Sequence, residues 1–327
     1  MTMEKNILIT GESGFIGSHL VRHFVKKYSN YMIHGLDMLT YASDRNFTIS
    51  LSSETNYQFH KIDIRDRQQV LNLFSKYKFS DVIHLAAESH VDNSIQNPLI
   101  FAETNILGTL NLLDGFRAHS TGRFQHVSTD EVYGDLDINS SAFTEKSNYQ
   151  PNSPYSASKA SSDHFVRAYN KTYDIDVIIT NCSNNYGPHQ HLEKLIPTVI
   201  SSIIKNQNIP VYGTGQNIRD WLYVQDHIEA LDLVFHGGKN GETYNIGGDN
   251  EMSNIDLIHQ ICGICFEKKY HSDPTKLISF VEDRKGHDRR YSVDFKKINN
   301  ELGWLPRFEF YNSLVSTIDW YTHRMSV

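Results

Sequence analysis

An apolar run from Asn6 to Thr10 (NILIT) passes directly into GESGFIGSHLVRHFVKKY, with glycines at Gly11, Gly14 and Gly17. The run reads as a β-strand and the glycines as a tight turn. The apolar residues that follow recur with the three-to-four residue period of an amphipathic helix. Strand, glycine turn and helix N-terminus in that order form a pyrophosphate site, because missing Cβ atoms let phosphate approach backbone N–H groups at the positive end of the helix dipole. The spacing is GxxGxxG rather than the commoner GxGxxG, and either pattern alone is a weak signal. A second observation strengthens it. The next strand, YMIHGLD, ends in Asp37, about twenty residues past the last glycine, where a carboxylate would accept hydrogen bonds from an adenosine ribose and repel a 2'-phosphate. That favours NAD over NADP.

The pattern then repeats. The strand YQFHKIDI reaches Asp63, and after it come the helix RDRQQVLNLFSKY, the strand DVIHLAAES, a helix from Asn97 to Phe116, the strand RFQHVST, a helix from Tyr155 to Tyr173 and the strand DVIITNC. Strands alternating with helices through short polar joints predict an α/β fold, a Rossmann-type doubly wound parallel sheet covered on both faces. Ligands of such a sheet sit at the carboxyl ends of its strands. The glycine turn, Asp37, Asp63, Ala86 to Ser89, Thr129 to Glu131 and Asn184 all fall at such ends. Past Cys182 the regularity loosens into shorter strands and helices, among them a helix whose Ser253 and Asp256 make a capping pair. This portion reads as a smaller, interleaved α/β substrate-binding domain. The expected division is 1–182 with about 217–243 for the NAD-binding domain, and about 183–216 with 244–327 for the second domain.

Composition removes several classes of function. With 39% hydrophobic and 12% aromatic residues the chain can bury an ordinary core, and no apolar run is long enough to cross a bilayer. MTMEKNILIT enters a strand without the sections of a signal peptide, so a cytoplasmic protein with no membrane partner is expected. A net charge of -7 argues against nucleic acid. Of three cysteines, Cys262 and Cys265 share one face of an apolar helical run with no second ligand pair nearby, which reads as core. The 17 histidines are scattered without metal-ligand spacing, so no metal is expected.

The remaining signal is HVSTDEVYG followed, after a loop, by SPYSASKASSDHF. A helix opening at Ser153-Pro154 places Tyr155 and Lys159 four residues apart on one face. A phenol beside an ammonium is a proton-transfer device. Lowering a tyrosine from about 10 to about 7 requires roughly 4 kcal/mol of preferential phenolate stabilisation, which a close lysine can largely supply. Thr129, Asp130 and Glu131 bring two carboxyl groups to the same strand end, one more proton carrier than a simple dehydrogenase needs. Consecutive side chains leave a strand on opposite sides, so Asp130 and Glu131 converge only if the chain turns there.

With these residues the chain resembles the extended short-chain dehydrogenase/reductases and, within them, the nucleoside-diphosphate-glucose 4,6-dehydratases. The resemblance spans essentially the whole chain through GxxGFIGSHL, LAAESHVDNSI, ETNILGT, STDEVYGDL, PNSPYSASKASSDH, TNCSNNYGP, EKLIP, RDWLYVQDH, YNIGG and DRKGHDRRYSVD. The Thr-Asp-Glu triplet is its most specific part. It implies NAD as a tightly held cofactor and dTDP-glucose as substrate. Tyr155 takes the C4 hydroxyl proton as hydride leaves C4, and Lys159 holds the phenolate and the nicotinamide ribose. Thr129 bonds the C4 oxygen, Glu131 removes the C5 proton and protonated Asp130 assists departure of the C6 hydroxyl. Hydride then returns to C6. Cofactor contacts are implied at Gly11, Gly14, Phe15, Ile16, Gly17, Asp37, Met38, Leu39, Thr40, Asp63, Ile64, Leu85, Ala86, Ala87, Ser89, Thr104, Tyr155, Lys159 and Asn185. Substrate contacts are implied at Ser89, Thr129, Asn184, Lys194, Leu195, Pro210, Tyr212, Arg219, Asn254, Arg284 and His287.

The resemblance further implies a homodimer through the helices Asn97 to Phe116 and Tyr155 to Tyr173. The sequence departs from the family at His191 and Leu192, where an aromatic-Pro step usually approaches the base, and at Glu12 and Ser13, where smaller residues are common. A carboxylate at Glu12 would have to point away from pyrophosphate. Thymine against uracil stays open, as does a UDP-hexose dehydratase. A 4-epimerase has no use for Asp130 and Glu131, and a non-catalytic NAD(H) sensor has no use for the intact Tyr155 and Lys159 pair.

Overall fold

The structure, a computed structural model, describes residues 3–326. Its strands are β1 (Lys5–Thr10), β2 (Tyr31–Asp37), β3 (Tyr57–Lys61), β4 (Asp81–His84), β5 (Arg123–Thr129), β6 (Asp176–Cys182), β7 (Asn184–Tyr186), β8 (Ile209–Tyr212), β9 (Ile218–Tyr223), β10 (Thr243–Ile246), β11 (Glu251–Ser253) and β12 (Ile278–Val281). Seven of them form one parallel sheet in the order β10-β6-β5-β4-β1-β2-β3. These strands read as nearly continuous apolar runs because helices cover both faces. On one face the helices Phe15–Lys27 and Val224–Gly237 bury Leu20, Phe24, Ile228 and Val234 against Ile7 and Ile9. On the other, Arg67–Tyr77, Thr109–His119 and Pro154–Tyr173 bury Phe74, Leu112 and Val166 against Leu8 and Phe124. Each large apolar side chain fully buried in this way stabilises the fold by about 1.5–3 kcal/mol.

Strand order reverses between β1 and β4, and a crevice opens beyond the carboxyl ends of that pair. The glycine turn leaves β1 there and Leu85 to Ser89 leave β4. The strand expected as DVIHLAAES stops at His84, because the Leu85 and Ala86 N–H groups both turn to Thr10 Oγ1 at 3.2 Å. The helix expected over Asn97 to Phe116 is also divided. A short helix Val91–Gln96 and a turn Pro98–Phe101 lead into a π-helical segment, Ala102–Gly108, before Thr109–His119. The wider turn points Asn105 inward, where its side chain bonds Glu88 N at 2.8 Å and Ser158 Oγ at 2.8 Å.

The second layer consists of a three-stranded sheet, β11-β9-β7, and a parallel pair, β12-β8. The helices Leu195–Ile204, Asn254–Glu267 and Phe310–Ser326 share their own core around Ile200, Leu257, Ile261, Leu314 and Ile318. Cys262 and Cys265 are free thiols buried in that core. Ser253 caps the Asn254 helix by accepting from Asp256 N at 3.1 Å. The chain crosses between the layers more often than boundaries at 183, 217 and 244 imply. β9 belongs to the small sheet, β10 carries the large sheet on to Ile246, and Ile298 and Trp304 pack into the first core. Among the described residues no helix is long and apolar enough to cross a membrane.

Candidate active site

The turn after β1 is crowded in a way that only glycine fits. Gly11 has φ +72°, and a Cβ there would lie 2.7 Å from Ala86 N. A Cβ on Gly17 would lie 2.0 Å from the Gly11 carbonyl, so the helix seats directly on the turn. That helix has Gly14 as N-cap, with no side-chain cap bond and no acidic residue in its first turn. Its N–H groups therefore remain available to an anion. Glu12 points away beneath the turn, as expected: Tyr57 donates to its Oε2 at 2.8 Å, Ser13 to its Oε1 at 2.8 Å, and burial pushes its carboxyl up. These features fit a dinucleotide pyrophosphate.

From this turn a cavity of about 220 Å³ runs toward β2 and β3. Gly11, Gly14, Asp37, Met38, Thr40, Asp63, Ile64, Leu85, Ala86, Ala87 and Thr104 line it. Asp37 accepts from Ser13 N at 3.0 Å and from Leu39 N at 2.7 Å, which sets the carboxylate on the cavity wall. Leu39, a candidate contact in the sequence, lines neither this cavity nor its neighbour and serves Asp37 through its N–H instead. Asp63 is gripped by the Arg65 guanidinium at 2.7 and 2.9 Å, which outweighs burial and holds its carboxyl below the usual range.

A second cavity, of about 260 Å³, joins the first at the glycine turn. It takes in Phe15, Ile16, Gly17, Ser89, Asn184, Asn185 and Lys194, with Thr129, Asp130, Glu131, Tyr155 and Lys159 at its base. The turn required at the end of β5 is present as a 3-10 helix, Asp130–Tyr133, which Thr129 caps by accepting from Glu131 N at 3.3 Å. Gly134 ends it at φ +87°, where a Cβ would collide with the Gln150 carbonyl at 2.1 Å. Both carboxyl groups thus reach one cavity. Burial, with Glu131 and Asp220 close by, pushes Asp130 well above the usual carboxylate range, which favours its protonated form. Its Oδ2 is buried and unpartnered. Glu131 instead receives a hydrogen bond from Ser156 Oγ at 3.2 Å, and Ser156 in turn meets the helix cap Ser153 at 2.7 Å.

The Tyr155 and Lys159 pair differs in one respect from the expectation. Lys159 Nζ donates to the Val127 carbonyl at 2.9 Å and lies 3.5 Å from His126 Nε2, so its charge acts on the cavity from below. Burial, reinforced by Glu131 and Cys182, holds Tyr155 well above its ordinary value, while burial brings Lys159 down to about 8 against the opposing pull of Asp163. In the protein's own field Tyr155 is a phenol, and its ionisation calls for added positive charge in the cavity.

A third cavity, of about 330 Å³, continues from Glu131 into the second layer. Ser89, Asn184, Lys194, Leu195, Pro210, Tyr212, Arg219, Asn254, Arg284 and His287 all line it. Thr129 stays in the cavity at the sheet end. Buried, unpartnered atoms mark the wall: Asn184 Oδ1, Asn254 Oδ1, Trp221 Nε1 and Arg284 Nε. Arg219 is itself 5% exposed and lies over the Tyr291 ring at 4.3 Å. Unpartnered donors and acceptors beside the Arg219 and Arg284 guanidinium groups fit an anionic, hydroxyl-rich ligand. His191, expected near the base, lines the second cavity, while Leu192 lies outside the three cavities. His191 packs edge-on to Tyr41 at 5.7 Å, and both residues line a groove with Trp320.

Sequence reasoning missed Ser156, Glu193, Trp221 and Tyr291. Ser156 follows Tyr155 directly and was readable as a first-turn hydroxyl. The other three reach the cavity from strands and loops whose pairing carries no local signal.

Comparison with known proteins agrees with this geometry. The sequence profile of the GDP-mannose 4,6-dehydratase family matches residues 8–317. The chain is 47% identical to a dTDP-glucose 4,6-dehydratase of Haemophilus influenzae, over 98% of this chain and 99% of that one. It is 47% identical to a dTDP-glucose 4,6-dehydratase of Salmonella typhimurium, over 96% and 92%. A dTDP-glucose 4,6-dehydratase of Streptomyces venezuelae, solved with NAD bound, superposes with a TM-score of 0.92 at 42% identity, covering 98% of each chain.

Proposed function

The chain belongs to the GDP-mannose 4,6-dehydratase family, and from that premise we infer an NAD-dependent hydro-lyase that converts dTDP-glucose into dTDP-4-keto-6-deoxyglucose and water. One observation carries the reading at this site: the 3-10 turn brings Asp130 and Glu131 into the cavity that also holds Tyr155 and Lys159. Water cannot readily leave C6 of a hexose while C4 is an alcohol, because the C5 hydrogen then has no acidity. A ketone at C4 supplies that acidity. Bound NAD supplies the electron-pair acceptor for making the ketone and the hydride that afterwards reduces C6.

The chain's own residues move protons and exclude water. Tyr155 accepts the C4 hydroxyl proton as the phenolate, a form that Lys159 and the positive charge of a bound oxidised nicotinamide would together favour. Glu131 removes the proton at C5 and would return it there once hydride has reduced C6. Asp130, kept protonated by burial and by its like-charged neighbour, gives its proton to the departing C6 hydroxyl. Thr129 bonds the C4 oxygen. The glycine turn would hold the pyrophosphate and Asp37 the ribose, with the layer built on the seven-stranded sheet as the cofactor part. The second layer, β9 included, would hold the nucleotide sugar, with Arg219, Arg284 and His287 on its diphosphate and distal groups. We place the enzyme in the cytoplasm as a homodimer. The exposed Leu99, Leu107, Phe165 and Tyr173 on the two helices named for that contact support the dimer.

Incubation with dTDP-glucose, UDP-glucose and UDP-N-acetylglucosamine, read by the alkali-induced absorbance of a 4-keto-6-deoxy sugar, tests the reading. Deuterium placed at C4 of dTDP-glucose should appear in the product methyl group. A product without it would overturn the mechanism, and turnover of UDP-glucose alone would overturn the substrate.

A further inference from the structure

Behind the cavity lies a buried polar cluster that the reaction as described does not use. Asp163 sits one helical turn beyond Lys159 and is completely buried. Ser128 Oγ donates to its Oδ2 at 3.0 Å and Tyr149 OH at 2.9 Å, while His126 Nε2 lies 3.2 Å from its Oδ1. Ser128 immediately precedes the Thr129-Asp130-Glu131 turn, and His126 lies two residues before Ser128 on β5. One carboxylate therefore ties the helix that carries Tyr155 and Lys159 to the strand that carries both proton-transfer carboxyls.

We propose that Asp163 is a positioning residue for the reaction: its buried carboxylate is the counter-charge that keeps Lys159 cationic beneath the cavity, and it fixes β5 against the Tyr155 helix. A lone ammonium at this depth is strongly disfavoured unless an opposite charge accompanies it. The groups facing the pair leave Asp163 as the source of that charge. On the same helix stands Arg167, which donates to Tyr149 OH at 2.8 Å. From β4 and β5 come His84 and His126, both held neutral by burial. Tyr133 and Tyr149 are phenols held far above neutral pH by burial, and Cys182 on β6 is pushed up to about 12 by burial. None of these groups is an anion at neutral pH. Asp163 is: burial opposes its charge, but His126, Lys159 and Arg167 hold its carboxyl below the usual range.

The inference rests on Tyr155 and Lys159 being the proton-transfer pair. Its test is the pH profile of kcat for D163N and for D163S, in case the first variant does not fold, with Y149F as a variant that keeps the charge. Without the carboxylate, Lys159 loses its proton at lower pH, so the alkaline limb should move down by about one unit or more. KM for dTDP-glucose and the NAD content of the purified protein should stay at wild-type values, and the limb of Y149F should not move. A loss for D163N and D163S that is equal at every pH would overturn the proposal, as would a limb that moves equally in Y149F. Failure of the wild-type chain to dehydrate dTDP-glucose would instead remove the functional reading itself.

Discussion

Glu131 and Asp130 are neighbours in sequence, yet their surroundings assign them opposite roles. Asp130 is enclosed, with one oxygen unpartnered, whereas Glu131 is half-buried and takes the Ser156 hydroxyl. Replacing Glu131 by Gln should leave oxidation at C4 possible but stop C5 deprotonation. Turnover should then fall by about 10²–10⁴-fold, the range of a lost general base, while reduced cofactor accumulates on the protein as a near-ultraviolet absorbance. Turnover at the wild-type rate would remove Glu131 from the role of base. Ser156→Ala removes only the hydrogen bond that orients this carboxylate, a loss of about 1 kcal/mol, so kcat should fall roughly fivefold with KM unchanged. A variant that alters KM instead would place Ser156 on the substrate.

Whole elements meet at points where a single atom decides the packing. A Cβ at position 17 would fall 2.0 Å from the Gly11 carbonyl, so Gly17→Ala should push the Phe15–Lys27 helix off the turn. Purified Gly17→Ala protein should carry far less NAD than wild type while keeping its far-ultraviolet circular dichroism; equal NAD content would mean that the helix seat does not shape the pyrophosphate site. The same helix is clamped at its other end. Asp232 on the Val224–Gly237 helix accepts from His23 at 2.6 Å, Lys27 at 2.6 Å and Tyr28 at 2.8 Å. Asp232→Asn should lower stability to urea by about 1–3 kcal/mol, the cost of leaving such donors poorly matched. Elements of this first half were legible because strand, glycine turn and helix are each written in adjacent residues, and so was the turn that brings Asp130 beside Glu131. The π segment Ala102–Gly108 was not, since an apolar period of about 3.6 looks the same whether or not one turn is widened. Nor was the pairing of β9 with β7 and β11, short strands whose partners lie 30 or more residues away in either direction.

On the scale of the whole molecule, an unusual amount of imidazole is locked inside in neutral form. Burial pushes His19, His34, His60 and His126 down to about 4 and His227 to about 3, and it drives His84 well below its ordinary value. The unfolded chain would protonate these residues near 6.5, so below that pH it binds more protons than the folded chain does. Stability is therefore fully present above about 6.5 and falls as pH drops toward 4, by about 1.4 kcal/mol per pH unit for each histidine. Buried carboxyls oppose the trend, Asp130 most of all, because a carboxyl pushed up binds its proton in the folded state first. The smaller rises at Glu12, Glu88, Asp220 and Asp226 act nearer the ordinary carboxylate range, so the histidines dominate just below 6.5. Urea midpoints taken from about pH 7 to about 5.5 should fall steadily, and the slope should exceed that of one group. His34 identifies the cause: its Nδ1 lies 2.8 Å from His60 Nε2, away from every cavity described above. Replacing it by Asn should remove roughly half a proton from the mean slope over this range while leaving the pH profile of catalysis unchanged. A slope that His34→Asn does not alter would show that His34 is not one of the imidazoles that set it, since Asp232, held below the ordinary carboxylate range, is ionised in both states over this window.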